Sequence, residues 1–109
     1  MSVSIVWLNQ QHAKAYHFSD QRMFREALTV GKTSESLHLE IAERIKDSSK
    51  VLLLSPDRSA EAFADFLRNL FPKLAQKIVG IETLAVASDE GIGNFASHYF
   101  QKPVGRNAP

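Results

Sequence analysis

The sequence predicts an α/β domain: a mixed five-stranded sheet, built as an antiparallel meander followed by two βα units and flanked by helices. Three observations carry this. An unbroken apolar run, Val51 to Leu54, switches at Ser55-Pro56-Asp57 to residues spaced by three and four, as a strand buried on both faces reads when it feeds a covering helix. Ahead of it, three strand-like segments are separated only by short polar turns, the pattern of a meander. Behind it, a second apolar run, Val79 to Ala87, leads into another helical pattern.

Each element can be justified in turn. In the first strand, Val3, Ile5 and Trp7 fall on one side and Val6 and Leu8 on the other, so it is covered on both faces and central. Asn9-Gln10-Gln11-His12 is a polar turn, Ala13 to Phe18 a second strand, and Ser19-Asp20-Gln21 the next turn. Met23 to Val30 alternates, with Phe24, Leu28 and Val30 opposite Arg25 and Thr29, as a half-solvated outer strand does. With no proline to blunt it, this edge is expected to pair with a second copy as a homodimer through residues 23–30. The small polar stretch Gly31 to Ser36, GKTSES, leads into a helix that Ser34 or Ser36 can cap; Leu37, Ile41 and Ile45 repeat every four residues and the helix ends near Asp47.

In the central unit, Ser55 or Asp57 can accept from the N–H groups that open the helix, and Pro56 has the φ of a helix start. Ala60, Phe63, Ala64, Phe66, Leu67, Leu70 and Phe71 then form a stripe facing the sheet. Pro72 suits the first turn of a short helix carrying Leu74 and Ile78, and the strand Val79 to Ala87 has Glu82 as its interior charge. Ser88-Asp89-Glu90 reads as an N-cap with acids in the first turn of the last helix, which buries Ile92, Phe95, Ala96, Tyr99 and Phe100. Residues 1–100 make one domain; residues 101–109, with two prolines, one glycine and no apolar periodicity, read as a mobile tail. With right-handed crossovers this order gives the ribonuclease H-like topology.

Composition narrows the functional classes. The 109 residues are 44% hydrophobic and 23% charged, ordinary globular usage. Thirteen Lys and Arg against 12 Asp and Glu leave a net charge of +1, too balanced to predict a partner by long-range attraction. The absence of cysteine removes disulfides, thiolate metal sites and thiol nucleophiles. MSVSIVWL has no basic leader, and no apolar run approaches the roughly 20 residues that span a bilayer, so a soluble cytoplasmic protein without membrane contact is expected.

Three segments carry a family resemblance: IVWLNQQHAKAYHF in the opening hairpin, VLLLSPDRSAEAFADFL in the central unit, and IVGIETLAVASDEGIGNFASHYF at the end. Together they cover most of residues 3–100 and resemble the middle domain of the archaeal and eukaryotic class-1 peptide release factors, in the short single-domain bacterial form known as translational machinery protein. In the release factors, the loop after the third strand carries a Gly-Gly-Gln tripeptide that enters the peptidyl-transferase centre. The matching loop here is GKTSES, with one glycine and no glutamine, and the helix after it is shorter. The resemblance therefore implies a translation-related module without peptidyl-tRNA hydrolysis.

Candidate sites are few. Ribonuclease H-like nucleases need clustered carboxylates at strand ends, but the first strand ends in Asn9, and Asp57, Asp89 and Glu90 sit where helix N-termini want acids. His12, His17, His38 and His98 have no metal-ligand spacing, and Ser55 has no GxSxG setting. No catalytic residue, metal site or cofactor is assigned. Helix N-termini at Pro56 to Ser59 and Asp89 to Gly93 emerge at one end of the sheet, making Ser55, Arg58, Ser59, Gly91 and Gly93 anion- or RNA-binding candidates. Lys32, in the loop that matches the release factors' functional loop, is the other candidate. The favoured expectation is a non-catalytic binding module that contacts ribosome or tRNA through Lys14, Arg22, Arg25, Lys32, Arg44 and Lys46 where these share a face. The alternatives are a small metal-dependent nuclease or hydrolase and a structural or regulatory homo-oligomer.

Overall fold

A computed structural model describes residues 2–10, 12–19, 22–29, 34–85 and 88–105. The elements are β1 (Ser2–Leu8), β2 (His12–Ser19), β3 (Arg22–Thr29), α1 (Ser34–Ile45), β4 (Lys50–Ser55), α2 (Ser59–Leu70), α3 (Pro72–Ala75), β5 (Ile78–Thr83) and α4 (Asp89–Gly105). The strands join in one mixed sheet in the order β3-β2-β1-β4-β5. β1 to β3 form the antiparallel meander, and β4 lies parallel to both β1 and β5. This is the mixed, helix-flanked sheet that the sequence predicts.

Alternation along β1 divides the core. Val6 and Leu8 join Val51 and Leu53 of β4 beneath α1 and α2, with Leu37, Ile41, Ile45, Phe63 and Leu67 completing that layer. Ile5 and Trp7 join Tyr16, Leu52 and Leu54 beneath Ile92 and Ala96 of α4. β1 and β4 are therefore sealed on both faces, which is why their sequences are apolar without a break. Ser4 is the polar exception: its hydroxyl is hydrogen-bonded to His17 Nδ1 at 2.9 Å and to the Ser48 hydroxyl, joining β1, β2 and the segment after α1. Buried hydroxyls are tolerated when bonded in this way.

Four boundaries differ from the sequence reading. β5 ends at Thr83 rather than Ala87, with residues 86 and 87 outside the described set. Leu84 extends the apolar run because it packs on the α4-side core, where its carbonyl accepts from Trp7 Nε1 at 2.8 Å. Ile78 belongs to β5, not α3. Leu70 and Phe71, read as part of the buried stripe, are 55% and 39% exposed. The backbone leaves the helix at Phe71 and Pro72 starts α3, so these two side chains lie at the end of α2, past its packed face. Finally, α4 runs to Gly105, beyond the Gln101 at which the tail was placed.

Candidate functional site

The carboxyl ends of β1, β4 and β5 share one edge of the sheet because the three strands are parallel. β3 points the same way, so its carboxyl end lies at this edge too. Asn9 and Gln10 after β1, Leu37 and His38 of α1, and Asp57 to Ser59 with Ala62 of α2 line a cleft of about 480 Å³ here. A second hollow of about 340 Å³ lies across Asp57 and Arg58, towards Glu82 and Thr83 of β5. Asp57 and Arg58 thus form a ridge between two depressions.

Local hydrogen bonding fixes this ridge. The Ser55 hydroxyl donates to the Asp57 carbonyl at 2.6 Å and accepts the Ala60 N–H at 3.1 Å. Asp57 Oδ1 accepts the Ser59 N–H at 2.9 Å, and that bond holds its carboxyl below the ordinary carboxylate range. Both residues expected to accept from the N–H groups that open α2 therefore do so, although the N-cap position itself is Arg58, and Pro56 sits in the turn before the helix rather than at its start. Arg58, its side chain 91% exposed, pairs with Glu61 at 2.9 Å. The turn opposite is closed by Asn9, whose N–H donates to the His12 carbonyl and whose Oδ1 accepts the His12 N–H.

His38 forms the inner wall, its ring 5.2 Å from Phe63 and 5.1 Å from Phe66. Burial pushes its pKa below the ordinary histidine value, so at neutral pH it is an uncharged, largely apolar surface. The cleft combines this wall with a polar rim: the Asn9 and Gln10 amides, the Ser59 hydroxyl, the Arg58 guanidinium and the Asp57 carboxylate. It can take a hydrogen-bonding group.

The N-terminus of α4 is placed differently. Ser88 Oγ accepts the Gly91 N–H at 3.0 Å. Asp89 accepts from the Tyr16 hydroxyl at 2.6 Å and lies 3.9 Å from Lys14 Nζ. This helix packs on the opposite face from α2. The structure therefore brings Ser55, Arg58 and Ser59 together and leaves Gly91 and Gly93 on the other side of the sheet. Lys32 lies outside the described residues. Among the cations expected to share a face, Lys14 is beside Asp89, whereas Arg44 pairs with Glu40 within α1 and Lys46, just past its end, with Glu43. Among the described residues, no three His, Cys, Asp or Glu side chains meet as a metal site. Sequence reasoning missed Asn9, Gln10 and His38 as lining residues; the available signal was that Asn9 and Gln10 follow a strand parallel to the one ending at Ser55.

No family model and no curated protein matches the sequence. Solved structures do. Pelota from Archaeoglobus fulgidus superposes with a TM-score of 0.74 at 13% identity, over 89% of this chain and 31% of that one. The Thermoplasma acidophilum Pelota protein gives 0.71 at 13%, over 88% and 32%. The chain has the fold of a release-factor-like domain. An archaeal translation termination factor agrees, with a TM-score of 0.65 at 11% identity over 85% of this chain and 32% of its own. The chain spans about a third of the length of each of these proteins.

Proposed function

We propose that this chain is a non-catalytic binding module of the translation apparatus that contacts ribosome or tRNA with the carboxyl end of its sheet, and that it does not hydrolyse peptidyl-tRNA. The observation that carries this reading is the cleft at that edge, lined in part by Leu37 and His38 of α1, the helix that follows in sequence the stretch matching the functional loop of the resembling release factors. One structural neighbour is a translation termination factor. The strand order supports the ribonuclease H-like topology for the same domain. Arg58 and Ser59 are the contact residues proposed on the described side of the cleft, with the buried Ser55 holding their turn; Lys32, outside the described residues, is proposed as a further contact, and Gly91 and Gly93 mark a second point on the other face. A cytoplasmic location follows from this role, and no helix of the described residues is long and apolar enough to cross a membrane.

The lack of hydrolysis rests on the loop sequence, which has no Gly-Gly-Gln to place a water. Capture of the protein's partners from cell extract, with and without ribonuclease, tests the binding half: ribosomal components that disappear on ribonuclease treatment are expected. Peptide release from programmed ribosomes tests the other half, with no release above a control lacking the protein.

A homodimer through β3 is part of the same proposal, because β3 is a terminal strand of the sheet.

A further inference from the structure

We infer that a second surface, at the end of the sheet opposite the cleft, binds single-stranded RNA through lysines set around an exposed aromatic ring. Here α2 gives way to α3 and both β4 and β5 begin. A groove of about 450 Å³ is lined by Lys46, Phe71, Pro72, Lys73, Leu74 and Lys77. Its lining holds three lysines and no acid.

The lysines are held by different means. Lys77 Nζ donates to the Lys46 carbonyl at 3.2 Å, at the C-terminal end of α1. Lys46 pairs with Glu43 at 2.8 Å. Lys73 is exposed and has no acidic partner among the described residues, so its charge is available to a ligand. Between them, Phe71 is 39% exposed and Leu70 55%. Phe71 is steadied from beneath by Phe66, ring to ring at 6.0 Å.

Cations around an apolar floor select a polyanion, and the aromatic ring decides which kind. Bases stack on an exposed ring whatever their identity while lysines track the phosphates, the usual design of sequence-tolerant single-strand binding. An acidic peptide would satisfy the lysines and leave Phe71 without a partner. The choice of RNA over DNA rests on the translation reading above; the surface itself does not share residues with the cleft.

The test is fluorescence anisotropy of a labelled ten-nucleotide oligouridylate titrated with the full chain at low salt. Saturable binding is expected, weakened about tenfold by Lys73→Glu and at least threefold by Phe71→Ala, with circular dichroism unchanged. The plot of log affinity against log salt is expected to fall with a slope of about −2, as three phosphate contacts on a single strand give. Absence of binding, binding indifferent to both substitutions, or displacement by polyglutamate as readily as by unlabelled RNA would each overturn the inference, the last in favour of an acidic peptide. The oligonucleotide contains no ribosome, so its failure leaves the ribosome-contact reading standing. Conversely, loss of ribosome binding with oligouridylate binding intact removes that reading alone.

Discussion

Ser55 serves two backbone groups at once, donating to the Asp57 carbonyl and accepting from the Ala60 N–H while itself 1% exposed. Ser55→Ala leaves both groups short of a partner, and a loss of about 1–3 kcal/mol is expected in chemical denaturation. His38 and Asp57 make the stability depend on pH in separate windows. Burial depresses the His38 pKa below 6.5, so the unfolded chain takes up its proton first; stability is full above that value and falls as pH drops through it. Asp57 is depressed below 3.8 by its bond from Ser59, and its contribution, present above that value, is lost only in more acid solution. His38→Phe is therefore expected to flatten part of the fall in denaturation midpoint between about pH 7 and 5. Asp57→Ala leaves that window alone and flattens the more acid limb.

The β4–α2 unit is the element on which the rest packs. Leu53 is completely buried, and Leu53→Ala is expected to cost about 2–5 kcal/mol by urea unfolding through the cavity it leaves. This unit was legible in the sequence because a doubly covered strand must be apolar throughout, and because its helix start uses side chains within five residues of one another. The end of β5 was not legible: Leu84 is apolar for the sake of the α4-side core, and a run of apolar residues does not record which partner buries each one. Leu70 and Phe71 misled for a related reason, since their spacing continues the stripe although α2 ends at Leu70 and leaves both side chains exposed. The cleft was half legible. Its cap residues declare themselves locally, whereas Asn9 and His38 reach it only through the sheet order and the packing of α1 on Phe63 and Phe66.

At the scale of the whole molecule, β3 is a terminal strand of the sheet and, among the described residues, its outer edge has no strand partner. The bond from Asn9 N–H to the His12 carbonyl sets the alternation of the meander. Carried through the registers of β1 with β2 and β2 with β3, it turns the backbone groups of Ala27 outward. Ala27→Pro thus removes a donor from the open edge without taking one from the ladder to β2. Light scattering is expected to show a wild-type dimer that this proline converts to monomer; a wild-type monomer at tens of micromolar excludes the edge as an interface.

The central claim is that the carboxyl end of the sheet binds the translation apparatus. Sedimentation of the purified protein with ribosomes through a sucrose cushion, for the wild type and Arg58→Ala, tests it most directly. Arg58 is exposed and its loss leaves the core intact, so the wild type is expected in the ribosome pellet and Arg58→Ala largely in the supernatant. A wild-type protein that stays in the supernatant, or an Arg58→Ala variant that pellets as well as the wild type, contradicts the claim.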